Sequence, residues 1–388
     1  MSSQTAEVLT VVKQSPVQFI VERSHLLKSL GHVQSVVEKR GTIAVLSNVK
    51  IDAKGDGVSL TATDMDIAIV EKTPATVSKS GSITVPAHTF YDIVRKLPEG
   101  AQVELSTSAD GNKIAIKSGS SRFSLACLPI DDFPVMADGD LSYNFSLKSA
   151  ECRALVEKPS FAISTEETRY YLNGIYLHTS GSGDGKVLRA VATDGHRLAR
   201  IEVALPAGAD GMPGVIIPRK AIYELKKLLE EGDGDVQISL SDTKIRFAYG
   251  NAVLVSKLID GNFPDYERVI PINNDKIMEV DCKTFAQAVD RVSVISNEKS
   301  RAVKLHVESG KLTLSANSPE HGTASEEIDV TYSAAQIEVG FNSRYMLDMM
   351  TQIEGDTAQF ILNDGASPAI VRDTADVGAL YVIMPMRV

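Results

Sequence analysis

The chain has 388 residues, 43% hydrophobic and 23% charged, a composition that excludes both a disordered chain and a membrane-embedded one. No stretch approaches the roughly 18 apolar residues of a membrane span, and MSSQTAEVLTVVKQSP lacks the basic start and apolar core of a signal peptide. Three separated cysteines (Cys127, Cys152, Cys282) read as no disulfide framework, which points to a reducing, cytoplasmic compartment, and the net charge of −10 argues at first against a polyanionic partner.

Residues 1–16 read as a disordered extension. VQFIVERSHLLKSL (17–30) pairs a strand with a helix predicted over 24–40. LTATDMDIAIV then reads as strand, turn and strand about Asp64. SITVPAHTFYDIVRKLPEGAQVELS, from 82, gives strand, short turn, amphipathic helix (87–97), Gly-containing exit and strand, and SRFSLACLPIDDFP closes the stretch at Phe133-Pro134.

The series then returns. YNFSLKSAECRALV (143–156) pairs a strand with a helix predicted over 146–163, and AVATDGHRLARI repeats the strand and turn at Asp194. GVIIPRKAIYELKKLLEEGDGDVQIS, from 214, repeats the strand and helix (219–229), and AVLVSKLIDGNFPDY ends at Phe263-Pro264. A third pass runs through IMEVDCKTFAQAVD (277–290, helix 281–295), LSANSPEHGTA at Asn317, QIEVGFNSRYMLDMMTQIEGDTAQFI (from 336, helix 342–353) and GALYVIMPMRV at Met384-Pro385. Pro86, Pro218 and Gly340 stand in equivalent places, 132 and 122 residues apart. A period this long is a whole domain rather than a solenoid unit. The expected class is α+β: three repeated domains, each with two helices and antiparallel sheets. The expected division is 17–141, 142–274 and 275–388, with linkers at Asp-Gly-Asp and at Pro-Ile-Asn-Asn-Asp.

The charge is unevenly placed. The six predicted helices hold 15 Lys/Arg against 8 Asp/Glu, and the rest of the chain 25 against 42. Basic outer faces on amphipathic helices explain this blandly; a polyanion met by the helices of all three repeats explains it more sharply. Arg219 and Lys220 favour the second reading, because the first turn of a helix is a poor place for cations unless an anion lies there. Two chains would bring twelve helices around a hole. At about 10 Å per helix the axes lie on a circle roughly 38 Å across, leaving a hole of roughly 28 Å, wide enough for a duplex read without sequence.

Chemistry is hard to find. There is no G-x-x-x-x-G-K-[ST]; GSGDGKVL (181–188) reads as a hairpin turn. No G-x-S-x-G, H-E-x-x-H or G-x-G-x-x-G occurs, and the seven histidines form no i,i+4 pair. Asp64 with Asp66 is a weak metal pair, and EGDGD (Asp233, Asp235) is too short for a calcium loop. Neither a metal nor a cofactor is expected, nor a catalytic residue. VATDGHRL holds a carboxylate, a base, a cation and a hydroxyl at Asp194, His196, Arg197 and Thr193. It offers no oriented partner or nucleophile, so a structural turn and a binding surface both stay open.

RYYLNG (169–174), VATDGHRL (191–198), PRKAIYEL (218–225), SKLIDGNFPDYERVIP (256–271), ISNEKSRAVKL (295–305) and YVIMPMRV (381–388) resemble the bacterial DNA polymerase III beta subunits, the sliding clamps. The resemblance runs from about residue 17 to the last residues. It implies a non-catalytic head-to-tail homodimeric ring that encircles duplex DNA without sequence specificity and tethers the replicative polymerase, a separate loader opening it. It also implies a peptide pocket between the second and third domains, lined by Leu172, Thr193, Gly195, His196, Arg197, Leu198, Pro264, Arg268, Val269, Tyr345, Val382, Met384, Pro385 and Met386. Flexible Met walls would accept varied ligands, with Leu and Phe of a Gln-Leu-x-Leu-Phe-like segment as anchors.

The implied partners are the polymerase III alpha subunit, the clamp-loader complex, and other polymerases and repair proteins carrying such segments. Implied DNA contacts are Arg40, Arg169, Tyr170, Tyr171, Arg219 and Lys220, with Tyr170-Tyr171 alternatively a core pair at the start of a strand. Glu166-Glu167 ahead of Arg169 departs from the family and would repel phosphate, and EKRGTIAVLSN around Arg40 lacks the usual prolines. The implied dimer interface sets Phe123 and Leu125 against Val294 and Ile295, with Arg122 near Glu326 or Glu327. Two rivals remain: a sequence-specific DNA-binding regulator, for which no recognition helix stands out, and a docking hub with incidental basic helices.

Overall fold

The computed structural model describes residues 16–38, 42–108, 111–136, 139–230, 232–297 and 300–387. Residues 1–15 and Arg40 lie outside them. The chain packs as two units. One takes in the chain up to Leu141 with Lys227–Ile238 and Lys244–Lys257; the other takes in Ser142–Lys226, Ser239–Thr243 and Leu258–Val388.

In the first unit an antiparallel sheet runs in the order Thr76–Lys79, Gln18–Glu22, Gln102–Thr107, Lys113–Ser118, Ser121–Ala126. A second runs Lys244–Tyr249, Ala252–Lys257, Ile67–Pro74, Gly57–Thr63, Asn48–Lys54, Gly81–Pro86. In the second unit one sheet runs Val215–Pro218, Gly174–Ser180, Val187–Thr193, Arg197–Ala204, Ala379–Ile383, Ala369–Asp373, Thr357–Leu362, Lys276–Asp281. A smaller sheet runs Gly322–Asp329, Lys311–Ser318, Ala302–Glu308, Ile337–Asn342. Alternation builds these strands: in Ala302–Glu308 every second side chain (Val303, Leu305, Val307) is fully buried. The stretch at 181–188 is a hairpin connection between antiparallel strands, with Gly181 and Gly183 in the left-handed region.

The helices are α1 (Arg23–Gln34), α2 (Ala87–Lys96), α3 (Ser149–Glu157), α4 (Arg219–Leu229), α5 (Cys282–Ser293) and α6 (Ser343–Met350). Their starts are written locally. Asp281 accepts the Thr284 N–H at 2.7 Å at the head of α5, and Asn342 accepts the Arg344 and Tyr345 N–H groups at the head of α6.

Every predicted helix except α4 ends short, α1 and α3 by the most, and α6 runs Ser343–Met350 rather than 342–353. α3 does not span 146–163: residues up to Lys148 complete the strand Tyr143–Lys148, and Pro159 has no N–H to continue the ladder. α1 stops at Gln34 rather than 40, where Ser35 Oγ donates to His32 O and the N–H groups of Val36 and Val37 turn back to Val33 and Gln34 in tighter 3₁₀ fashion.

Candidate functional site: a duplicated turn and its docking wall

The turn 193–197 is fixed by its own side chains. Thr193 Oγ1 donates to Arg197 O at 2.7 Å and accepts from Gly195 N–H at 3.1 Å. Asp194 Oδ1 accepts from His196 N–H at 2.9 Å and Arg197 N–H at 3.0 Å. Gly195 sits at φ +89°, where glycine escapes the Cβ penalty.

The first unit repeats the device bond for bond. Thr63 Oγ1 donates to Ile67 O and accepts from Met65 N–H, while Asp64 Oδ1 accepts from the N–H groups of Asp66 and Ile67. Met65 holds φ +80° where the second turn has glycine. Even the flanking strand matches: Lys257 N–H donates to Asp66 O at 2.8 Å, as Met384 N–H donates to His196 O at 2.9 Å.

Thr193 and Asp194 therefore build a turn, and the chemistry-bearing composition of VATDGHRL is turn construction with His196 and Arg197 mounted on it. The weak metal reading of Asp64 and Asp66 meets the same fact: Asp64 caps its turn, and Asp66 accepts from Lys257 Nζ at 3.0 Å. Among the described residues no group of three or more His, Cys, Asp or Glu side chains is placed to hold a metal ion.

In the second unit the turn gathers a wall. Arg197 is the centre of it, with its side chain only 10% exposed. Its Nε donates to Asp194 Oδ2 at 3.1 Å, Nη1 to Asp348 Oδ2 at 2.5 Å and Nη2 to Phe161 O at 2.6 Å. Its guanidinium lies 4.3 Å from the Tyr345 ring centroid and 5.0 Å from that of Phe161. Exposed His196 stacks toward Tyr345, ring centroids 6.4 Å apart. Arg197 and Leu198 pair in register with Ile383 and Val382, which brings half-exposed Met384 alongside His196.

Beneath them Leu198, Val382, Val191, Leu380, Ile370 and Tyr266 form one buried cluster, against which Phe263 and Ile270 pack. Tyr266 anchors the 3₁₀ turn Tyr266–Val269, which leaves Val269 43% exposed and Arg268 paired with Asp265 at 2.6 Å. Pro264 is exposed on the approach to that turn, and Met386 N–H donates to Gly340 O. Leu172 is buried, its carbonyl accepting from Ser164 N–H, and partly exposed Pro385 follows Met384. The turn, Tyr345 and Met384 are thus brought together above a common core with Leu198 and Val382. Arg197 serves as a strut under the surface rather than as an open rim group.

A polar girdle lies at one side of the core. His178 Nε2 and Tyr266 OH are 2.9 Å apart, Arg189 Nη1 donates to the same hydroxyl at 2.6 Å, and Arg189 also pairs with Glu202 and Glu267. Burial, with the Arg189 charge helping, lowers the His178 imidazole below its ordinary value.

Of the residues implied to meet DNA, Arg219 and Lys220 open α4 and are partly exposed. Tyr170 is 53% exposed and Tyr171 partly so, in a 3₁₀ stretch (Glu167–Leu172) ahead of the strand at Gly174, so Tyr170 is not a core residue. Arg169 turns toward the 193–197 turn, with Nη2 donating to Asp194 O at 3.0 Å. For the implied interface, Arg122, Phe123 and Leu125 lie on Ser121–Ala126, the last strand of its sheet, and Val294 beyond α5 is 77% exposed with Ile295 partly so. Glu326 pairs with Arg291 and Glu327 with Lys311 within the chain.

Sequence reading missed Asp348, Phe161 and the strut role of Arg197. The matched Thr-Asp pairs at 63–64 and 193–194 carried the one available signal, that Asp194 makes a turn.

Three domain models of the DNA polymerase III beta subunit match in series: the N-terminal domain over residues 17–137, the central domain over 146–265 and the C-terminal domain over 267–387. The class is therefore a threefold-repeated clamp. The chain is 53% identical over 368 residues to the beta sliding clamp of Caulobacter vibrioides, covering 95% of this chain and 99% of that one. To the beta sliding clamp of Escherichia coli K12 it is 40% identical over 373 residues, covering 95% and 100%. The DNA polymerase III subunit beta sliding clamp of Bartonella birtlesii, solved bound to griselimycin, superposes with a TM-score of 0.93 at 51% identity, covering 96% of this chain and all of that one. The chain belongs to the DNA polymerase III beta subunit family, the bacterial beta sliding clamps.

Proposed function

We propose that this chain works as a DNA sliding clamp: a non-catalytic replication processivity factor, two copies closing head to tail around duplex DNA and tethering the replicative polymerase and other proteins through the wall at 193–198. The observation that carries this reading is the family match along all three repeats, joined to a surface where His196, Tyr345 and Met384 converge over an apolar core.

The docking site takes in Leu172, Thr193, Gly195, His196, Leu198, Pro264, Arg268, Val269, Tyr345, Val382, Met384, Pro385 and Met386, with Arg197 bracing it from below. Its chemistry suits an extended apolar segment with Leu and Phe anchors, as borne by the polymerase III alpha subunit and clamp loader. DNA is met by Arg219 and Lys220, with Tyr170 and Tyr171 beside them in role; Arg40 joins them by resemblance. These contacts read phosphate rather than bases.

Dimerisation joins two sheet edges. Strand Ser121–Ala126 presents Arg122, Phe123 and Leu125, with Lys113 and Lys117 on the strand beside it. The edge strand Gly322–Asp329 presents Glu326 and Glu327, and Glu326 pairs with Arg291 in the last turn of α5, just ahead of exposed Val294 and partly exposed Ile295. Unpaired edges of opposite charge invite pairing across chains, and two different edges make a heterologous contact that must close into a ring.

The test is topological. Labelled protein is loaded onto nicked circular plasmid with the loader and ATP, isolated at high salt, and the plasmid is then cut once. A clamp stays on circles and leaves when an end appears; protein that stays on the linear form, or that salt strips from circles, is held by contacts and is a regulator or hub instead.

A further inference from the structure

We propose that Glu166 assigns Arg169 to the docking turn, making Arg169 a positioning residue of the peptide site rather than a phosphate contact; this rests on the clamp reading above. Glu166 takes two parallel bonds, Arg169 Nε donating to Oε2 at 2.8 Å and Nη2 to Oε1 at 2.7 Å. Nη2 also donates to the carbonyl of Asp194 at 3.0 Å. The guanidinium edge closes on the next residue: a Cβ built on Gly195 would stand 2.7 Å from Nη1 and 3.6 Å from Cζ. One side chain thus ties the loop before the strand at Gly174 to the turn that carries His196.

The backbone is shaped for this. Arg169 breaks the 3₁₀ stretch with φ −111° and ψ 50°, while the next residue, Tyr170, is exposed and its ring meets that of Tyr171 edge-on. Neighbouring residues so face different tasks. Electrostatics point the same way. A carboxylate that accepts from the Nε and Nη2 N–H groups of a guanidinium occupies one bidentate face a phosphate would use and offsets its charge. Those bonds, with the Arg169 charge helping, also hold the Glu166 carboxyl below its ordinary value. The glutamate that would repel phosphate is instead the anchor of the docking turn.

Three variants separate the roles, each read twice: by the affinity of a synthetic Gln-Leu-Asp-Leu-Phe peptide, and by the salt dependence of binding to a short random duplex without loader. Arg169→Ala should weaken the peptide three- to tenfold and leave duplex affinity and salt slope as in the parent. Glu166→Gln keeps the shape and removes the charge. It should weaken the peptide similarly, yet tighten duplex binding and steepen the salt slope by about 0.9, one freed cation's worth. Adding Arg169→Ala to Glu166→Gln should abolish that gain, which a merely structural loss at Glu166 would not predict.

The proposal is overturned if Arg169→Ala weakens duplex binding and spares the peptide, or if Glu166→Gln changes neither. A parent chain that fails to bind the peptide at all defeats the docking reading itself, and the duplex arm still judges the Glu166–Arg169 assignment.

Discussion

Replacing Arg197 with Met keeps the side-chain volume and removes a guanidinium that braces three elements at once. Its bonds run to Asp194 on its own turn, to Asp348 on α6 and to the Phe161 carbonyl. Removing one partner of a buried pair costs about 3–5 kcal/mol, because the other charge is left uncompensated. Two facts lower that figure here. The Asp348 side chain is 32% exposed and regains water, and Asp194 keeps its two backbone N–H bonds. The expected loss is about 2–3 kcal/mol, and Arg197→Lys should recover less than half, since a compact ammonium lacks the planar spread that reaches three separated partners and lies against two rings.

A chain with two units need not unfold in one step, so local amide hydrogen exchange is the appropriate measure. The paired strands Arg197–Ala204 and Ala379–Ile383 should exchange roughly 30- to 150-fold faster, at about tenfold per 1.4 kcal/mol. A change under about twofold, with secondary structure intact, would refute the strut. The network would then contribute no more than an exposed ion pair does.

Other expectations follow from single residues. Gly195→Ala should cost about 1 kcal/mol in local exchange, because it puts a Cβ at φ +89°, and should weaken peptide docking by displacing Arg169. Met65→Gly should leave stability unchanged or raise it by up to about 1 kcal/mol, relief of a left-handed Met set against a freer unfolded chain; a clear loss in thermal melting would contradict this. Folded His178 binds its proton less readily than the unfolded imidazole near 6.5, so stability should fall as pH drops through that value. His178→Gln should flatten that part of the pH–stability curve, and an unaltered curve would place the loss elsewhere. Burial pushes the Cys127 thiol up to about 11 and Cys152 up to about 12, so both should react with a thiol reagent at pH 8 about a hundredfold or more below a free peptide cysteine. Val294→Ala with Ile295→Ala should leave monomers by sedimentation, and an unchanged dimer mass would defeat the proposed interface.

What could be read from sequence follows the range of the physics. Helix α4 and the repeated strand–turn–strand frame are local, set by periodicity and by Thr-Asp side chains bonding backbone two to four residues on, and they emerge where expected. The end of α3 is not legible from periodicity, because the apolar spacing continues past Pro159, whose missing N–H it does not register. The wall was legible only through resemblance. Arg197 meets Asp348 across 151 positions, and nothing local to either residue announces the other. The destination of Arg169 was equally hidden: its neighbourhood of Glu166 and two tyrosines reads as a charged loop until the fold sets Asp194 beside it.

The duplicated turn also gives the molecule its own experimental control. Thr63 and Thr193 make the same two bonds in the same strand register, but it is the second turn whose His196 meets Tyr345 and Met384. Alanine at either position inflicts the same backbone injury. Subtracting one effect from the other leaves what the second turn does for a guest, with the cost of damaging a turn already cancelled inside a single polypeptide.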